Sequence, residues 1–321
     1  MMKLMLTLKG MAMGIAEAIP GVSGGTLAFI TGIYEELLWT IKSINPGNLK
    51  LILSDRAAFW KAINGPFLLW LLFGMAGGLI LGVLVISHML ETNKEILWAL
   101  FFGLVLASAV LLGKDVEWDR KSILMAVVGA AFAYAVTMFS PVTGSTNPVY
   151  LFLSGMLAVS ALMLPGVSGS FILLLLGLYD SIINGLKAII AEQDFSALGT
   201  LVFFGLGVLI GLFTFAKVLS WLFAKFRNPT MAVMIGILIG SLNKLWPWKL
   251  IETAMDKTTG NVETIGSTIL PTHTEWKILT ETNLLPMTYQ NYTDPKLLLC
   301  IVALVLGAFL VLMLSRLDSR A

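Results

Sequence analysis

Long apolar segments are the feature that most limits what this 321-residue chain can fold into. A helix needs about 20 predominantly apolar residues to cross a bilayer, and six segments approach or exceed that length. They cover residues 66–90, 95–113, 121–140, 197–224, 230–246 and 296–315. Charged residues make up only 12% of the chain, too few to cover the surface of a soluble domain of this length. Because backbone polar groups must be satisfied internally in lipid, the sequence predicts an all-α polytopic membrane protein.

Two further apolar segments are interrupted by the same pentapeptide, Pro-Gly-Val-Ser-Gly. The first reads IPGVSGGTLAFITGIY from residue 19, and the second reads LPGVSGSFILLLLGLY from residue 164. Proline lacks an N–H and clashes with the preceding turn, so a helix should stop before Pro20 and before Pro165. Ser23 and Ser168 are then well placed as N-caps of restarted helices. Each interrupted segment is therefore predicted to form a helical hairpin around a break.

The two interruptions divide the chain into similar halves. FGMAGGLILG in the first half resembles FGLGVLIG in the second, and the order of the matching segments is the same. We predict one repeat over residues 1–140 and another over residues 147–316, each with a hairpin followed by three spans. The hairpins cover about 4–42 and 149–190. They are read as re-entrant because the segment before each proline is short, although a pair of full spans would return the chain to the same side.

Five elements in each half are an odd number, so the second half should enter the membrane with the opposite orientation. This arrangement is the inverted repeat of many secondary transporters. Lys and Arg residues are more frequent on the side that holds both termini, which predicts that the termini are cytoplasmic. Residues 247–295 form an extracytoplasmic insertion rich in Thr, Gly and Asn, which predicts turns or short strands. The insertion is either a cap over the outer face or an inert addition.

The interruptions also predict an anion site. A restarted helix presents free N–H groups and the positive end of its dipole, and such a helix start binds phosphate or carboxylate. Two inverted copies would meet near the middle of the membrane as half-sites for one anionic group. The candidate binding residues are Glu17, Pro20, Gly21, Val22, Ser23, Gly24, Gly25, Thr26, Pro165, Gly166, Val167, Ser168, Gly169 and Ser170. The alternative is that each motif is only a kink, with glycines for close packing.

Glu17 lies one turn before Pro20 in an apolar segment. Carboxylates within a membrane are costly and often mark proton or ion pathways, which makes Glu17 a candidate for proton coupling. The alternative is a structural role, in which Glu17 caps the free N–H groups of the restarted helix.

GIAEAIPGVSGGTLAFITGIYEEL, LMLPGVSGSFILLLLGLYDSI and GSLNKLWPW together resemble the bacterial polyprenyl-phosphate transporter family over almost the whole chain. One departure is Glu17, where the family pattern has aspartate. The resemblance implies translocation of undecaprenyl phosphate, the C55 lipid carrier of cell-wall synthesis. It also implies recycling of that carrier from the outer to the inner leaflet of the bacterial cytoplasmic membrane. A phosphate headgroup with one to two negative charges suits opposed helix starts, and its apolar tail can stay in lipid.

Other functions are less well supported. A net charge of +2 does not indicate a nucleic-acid partner. One cysteine and two histidines supply neither a metal site nor a cofactor site, so no cofactor is predicted. An enzyme such as a lipid phosphatase would need a nucleophile with a partner base, and neither motif contains His or Cys. A transporter or channel for a small soluble anion would use the same motifs, and the residues alone do not separate it from a lipid transporter.

Overall fold

A computed structural model of the chain describes residues 2–17, 23–139, 144–189, 193–256, 261–270 and 276–318. The first half consists of α1 Met2–Glu17, α2 Gly24–Ile30, α3 Tyr34–Ser43, α4 Pro46–Leu49, α5 Leu51–Ser54, α6 Arg56–Ala62, α7 Gly65–Thr92, α8 Lys94–Leu112 and α9 Arg120–Met138. The second half consists of α10 Pro148–Met163, α11 Gly169–Leu175, α12 Tyr179–Lys187, α13 Leu198–Lys225, α14 Arg227–Ser241, β1 Lys249–Asp256, β2 Val262–Ser267, β3 Trp276–Asn283, α15 Pro286–Tyr289 and α16 Leu297–Asp318.

The long helices pack in four pairs, two within the halves and two between them. Helix α1 packs against α7, and its counterpart α10 packs against α13. Helix α9 packs against α14, and α16 packs against α8. Because α8 aligns with α14 and α9 aligns with α16, exchanging the two halves leaves this set of pairs unchanged.

Glycines spaced by four residues allow these helices to pack closely. A Cβ atom on Gly74 or Gly78 of α7 would collide with backbone carbonyls of α1, at Thr7 and Met11. A Cβ atom on Gly236 of α14 would collide in the same way with the carbonyl of Ala126 in α9. Small residues at this spacing let helix backbones approach each other in membranes. Close packing of the helices is therefore the role of these glycines.

Four helices of the described chain are long and apolar enough to cross a bilayer. The spans are Gly65–Gly82, Lys94–Asp115, Arg120–Met138 and Leu198–Lys225. Their outer faces carry large apolar side chains such as Phe73 and Ile80, which are 66% and 64% exposed. Exposed apolar surface on this scale indicates contact with lipid.

The predicted span at residues 230–246 is shorter than expected. Helix α14 has 15 residues and is about 22 Å long, less than the roughly 30 Å of the hydrocarbon core. The helix ends at Ser241. The chain then turns, and the Lys244 N–H donates a hydrogen bond to the Ser241 carbonyl at 2.9 Å. Pro247 follows shortly afterwards, and the residue before a proline disfavours the helical conformation.

The segment after each motif is also broken a second time. Gly32 separates α2 from α3 with φ of 73°, and Gly177 separates α11 from α12 with φ of 65°. Left-handed backbone conformations of this kind are readily available to glycine alone. Each post-motif segment is therefore two short helices, whereas the sequence predicted one.

The insertion at 247–295 contains the short strands that its composition predicted. Strand β1 lies between β2 and β3, and both pairings are antiparallel. Hydrogen bonds hold the insertion on the helix ends: the Tyr289 hydroxyl donates to Glu95 Oε1 of α8 at 2.6 Å, and Trp246 Nε1 donates to the Leu284 carbonyl at 2.7 Å. The Lys94 ammonium also donates to the Thr268 carbonyl. The insertion is thus a folded layer attached to the bundle.

Candidate anion-binding site

At the first motif, two side chains accept hydrogen bonds from backbone N–H groups at the start of α2. Ser23 is the N-cap, and its Oγ accepts a hydrogen bond from the Gly25 N–H at 3.1 Å. The Gly24 N–H donates to Glu17 Oε1 at 2.6 Å. Ser23 is therefore confirmed as a cap, and Glu17 adopts the capping position that was the alternative to a proton-coupling role. Pro20, Gly21 and Val22 lie outside the described residues.

The second motif breaks the chain between α10 and α11. Helix α10 ends at Met163, and Gly166 takes a φ of 87°, in the left-handed region that favours glycine. Ser168 is the N-cap of α11, where its Oγ accepts from the Phe171 N–H at 3.4 Å. The Ser168 and Ser170 hydroxyls are hydrogen bonded to each other at 2.8 Å. Ser168 is thus the second confirmed cap.

The two motifs touch each other deep in the protein. Ser23 Oγ donates to the Leu162 carbonyl at 2.8 Å, so the first motif binds the end of α10. The Gly166 N–H donates to Thr26 Oγ1 at 2.8 Å, which connects the second motif back to α2. Ser23 and Thr26 are each only 1% exposed. Elements distant in sequence are therefore joined at their breaks by hydrogen bonds between the halves.

Tyr34 adds a third connection that the sequence did not reveal. Its ring is buried, and its hydroxyl donates to the Met163 carbonyl at 2.6 Å. The ring also makes edge contacts with Phe29 and Phe223, at centroid distances of 5.5 and 5.8 Å. The aligned positions Tyr34 and Tyr179 identify a repeated residue, but nothing in the sequence indicates that Tyr34 reaches the opposite half.

A small cleft of about 20 Å³, room for about one water molecule, lies beside the second motif. Its lining includes Thr137, Gly166, Ser168, Phe171, Ser241 and Lys244. Ser168 is nearly buried within it, while the Lys244 side chain is 30% exposed. The Lys244 ammonium lies 5.3 Å from the centre of the Phe171 ring. The cleft therefore combines three hydroxyl side chains, a backbone turn and a cation.

Lys244 interacts with a carboxylate of the insertion. Its Nζ lies 2.8 Å from Glu281 Oε2 on β3, and Lys249 Nζ lies 3.5 Å from the same oxygen. Burial by itself would raise the pKa of Glu281, but the charges of Lys249 and Lys244 and their hydrogen bonds together lower it to about 2. Glu281 is therefore ionised at neutral pH and shared between two cations.

The two motifs differ in charge. Leu162 occupies the position in the second half that aligns with Glu17, so the second motif has no carboxylate there. The first motif places Glu17 against the start of α2, whereas the second places Lys244 in the adjacent cleft. From the sequence, Lys244 was one of several lysines near the insertion. Its membership in the stretch GSLNKLWPW was the one available signal that it matters.

The chemistry of these residues suits binding of an anion. Hydroxyl groups, backbone N–H groups and a lysine can donate hydrogen bonds to an anion when they leave the partners that they have within the protein. Within the described ranges, no group of three or more His, Cys, Asp or Glu side chains could hold a metal ion.

Comparison with known proteins identifies relatives over most of the chain. Residues 13–263 match a family model described as undecaprenyl phosphate translocase-like. The chain is 37% identical over 310 residues to a polyprenyl-phosphate transporter of Vibrio cholerae, covering 94% of each protein. It is 31% identical over 255 residues to a polyprenyl-phosphate transporter of Staphylococcus aureus, covering 75% of this chain and 85% of the relative. No solved structure matches the chain.

Proposed function

Because the chain belongs to the undecaprenyl phosphate translocase-like family, we propose that it carries a polyprenyl phosphate across a membrane. The substrate in this proposal is undecaprenyl phosphate, recycled from the outer to the inner leaflet of the bacterial cytoplasmic membrane. The termini lie on the cytoplasmic side and the insertion lies outside. The observation that carries the proposal is the hydrogen-bonded contact between two motifs of anion-binding composition inside an apolar bundle.

The headgroup binds where the two motifs meet. The phosphate has one to two negative charges and three acceptor oxygens, so it accepts hydrogen bonds from Ser168, from the backbone of the motifs and from Lys244. The polyprenyl tail needs no polar path, because the outer faces of the spans are apolar. Only the headgroup therefore has to cross through the protein.

Alternating access follows from the relation between the halves. The helix pairs are unchanged when the halves are exchanged, which supports a repeat with a pseudo-two-fold axis, and the orientation argument makes that repeat inverted. Ser23 and Ser168 are both buried, so the headgroup reaches them only when the hairpins move apart. Movement of one hairpin exposes the site to one leaflet, and movement of the other exposes it to the opposite leaflet.

Glu17 couples this movement to a proton. Its carboxylate accepts from the Gly24 N–H and so occupies a position that a phosphate oxygen would otherwise take. A charged carboxylate repels the headgroup, and protonation removes that repulsion. Binding of the phosphate at the first motif is thereby linked to proton uptake by Glu17.

A leaflet-accessibility assay tests the proposed function. Purified protein is reconstituted in vesicles containing undecaprenyl phosphate, and a membrane-impermeant phosphatase is added outside. Without transport, only the outer-leaflet lipid is hydrolysed; with active protein, the inner-leaflet pool is hydrolysed as well. Filling the cleft with Ser168→Trp should abolish this second phase, and the lipid-facing Phe132→Trp is the matched control.

A parallel experiment measures uptake of radiolabelled inorganic phosphate into the same vesicles. Uptake of free phosphate without exposure of the inner-leaflet lipid would replace the lipid substrate with a small soluble anion. Hydrolysis of undecaprenyl diphosphate by the protein alone would instead indicate an enzyme. Either result would overturn the proposed function.

A further inference from the structure

Lys244 lies between two possible anionic partners. On one side it lines the cleft that contains Gly166 and Ser168. On the other side its ammonium is paired with Glu281 at 2.8 Å. Lys244 lies three residues after the end of α14 and is held by a backbone hydrogen bond to Ser241, while its long side chain is partly exposed. A lysine with a fixed backbone and a flexible stem can exchange one partner for the other.

Lys249 is a second cationic partner that balances the charge of Glu281 beside Lys244. Lys249 is only 9% exposed and is fixed in three ways: its Nζ donates to the Lys244 carbonyl at 2.6 Å, lies 4.8 Å from the centre of the Trp98 ring, and stands 3.5 Å from Glu281. Two ammonium groups thus share one carboxylate. When Lys244 leaves, Glu281 keeps a buried cation, so the exchange does not strand an unpaired charge in the protein.

We propose that Lys244, Glu281 and Lys249 form a capture site for a phosphate monoester, in which movement of the hairpin widens the cleft beside Ser168 and Lys244 leaves Glu281 to bind the headgroup there. The proposal rests on the proposed function and assigns its outer binding step. Glu281 acts as an internal competitor: it holds Lys244 when the cleft contains no phosphate and takes it back when the headgroup moves on. The folded insertion thereby contributes directly to the site, which distinguishes it from an inert addition.

The charges favour this exchange in both directions. A phosphate dianion offers more negative charge and more acceptor oxygens than a carboxylate, so it competes effectively for Lys244. Release remains possible because Glu281 stays within reach of the lysine stem. A transporter needs binding that is strong enough for entry and weak enough for exit.

Binding measurements on the purified full-length protein in lipid nanodiscs test the proposal. Lys244→Gln should weaken the binding of undecaprenyl phosphate by about tenfold or more, the loss expected for one charge-assisted hydrogen bond. Lys244→Arg should keep most of the affinity. Glu281→Gln should strengthen binding and slow transport, because the competitor is gone. Arg227→Gln, which removes an exposed ion pair with Glu35, is the control and should change neither quantity.

Inorganic phosphate, added as a competitor, separates the two sources of the same chemistry. Displacement of the lipid by free phosphate in the wild type, lost in Lys244→Gln, identifies the cleft as a site for the phosphate group itself. If free phosphate does not displace the lipid but Lys244→Gln still weakens lipid binding, the site also needs the lipid tail. Both results support the capture site, and they differ in its substrate range.

One result would overturn the capture site alone, and another would overturn the proposed function as well. If Lys244→Gln and Glu281→Gln bind the lipid like the wild type while Ser168→Trp does not, the capture site is wrong and the proposed function stands. If the wild type binds no undecaprenyl phosphate, both are wrong. Thermal unfolding of Lys244→Gln guards against misfolding. Glu281 keeps Lys249 as its cationic partner in this variant, so Lys244→Gln should unfold near the wild-type temperature while binding the lipid weakly.

Discussion

Gly25 is the position where one added methyl group should separate the two motifs. A Cβ atom built on Gly25 would lie 2.5 Å from the Leu162 carbonyl oxygen and 3.3 Å from the Met163 carbonyl oxygen. Ser23 Oγ would lie at 3.2 Å and can rotate away, but the obstacle at 2.5 Å is a backbone atom at the end of α10 and cannot. Gly25→Ala must therefore push α2 away from α10. The hydrogen bond from Ser23 Oγ to the Leu162 carbonyl is the first contact that this movement stretches.

The size of the effect follows from three contributions. Overpacking by a methyl group costs about 1–3 kcal/mol. Loss of the Ser23 hydrogen bond costs about 0.5–1.5 kcal/mol. The replacement of glycine by alanine in a helix returns up to about 1 kcal/mol. We expect a net loss of about 0.5–4.5 kcal/mol in the free energy of unfolding and a reduced rate of lipid transport.

Thermal unfolding in detergent, followed by tryptophan fluorescence, measures the stability, and the leaflet-accessibility assay measures transport. Gly77→Ala in α7 is the matched control, because a Cβ atom there has no neighbour within 4 Å. The control should be neutral or slightly stabilising. A Gly25→Ala protein as stable and active as Gly77→Ala would refute the claim that the motifs depend on this close approach.

The remaining predictions concern three other side chains. Glu17→Gln can still accept a hydrogen bond from the Gly24 N–H, so it should unfold at the wild-type temperature while transport responds less to a proton gradient. Glu17→Ala should also lose the cap of α2, which should lower the free energy of unfolding by about 0.5–2 kcal/mol. Tyr34→Phe removes the hydroxyl that binds the Met163 carbonyl and should cost about 1–3 kcal/mol in thermal unfolding, because a buried acceptor loses its partner. Because the pKa of Glu281 is lowered in the folded protein, the unfolded chain binds a proton on this carboxylate more readily. The stability that Glu281 contributes is therefore complete above pH 4.5 and is lost as the pH falls toward 2. When unfolding is measured against pH, Glu281→Gln should lose less stability in acid than the wild type.

Each of these three predictions has its own control variant or its own contradicting result. Unchanged pH dependence of transport in Glu17→Gln would leave Glu17 as a cap alone. Tyr292→Phe, at an exposed tyrosine, should have no effect on unfolding, and an equal effect in both tyrosine variants would remove the special role of Tyr34. Glu263→Gln on β2 is exposed and should keep the full acid loss. The same loss in Glu281→Gln would show that the two lysines do not stabilise its charge in the folded protein.

Local features of the sequence determined where the helices begin and end. Proline and the small residues after it stop a helix through short-range sterics, and a serine at a helix start caps N–H groups of the next turn. Helices α1 and α10 and the caps Ser23 and Ser168 could therefore be predicted. The same reasoning placed most of the spans within a few residues, because apolar length is a local property. It missed the breaks at Gly32 and Gly177, since a single glycine in an apolar run does not by itself indicate a turn.

Tertiary structure alone decided which groups meet. The bond from Ser23 to Leu162, the reach of Tyr34 to Met163 and the pairing of Lys244 with Glu281 all join residues far apart in the chain. Such contacts depend on how helices pack and on where a folded insertion is attached, and no local pattern encodes either. The repeat made the two motifs look equivalent. The sequence already distinguishes them at Glu17, which aligns with Leu162, and packing adds a second difference by placing Lys244 beside the second motif.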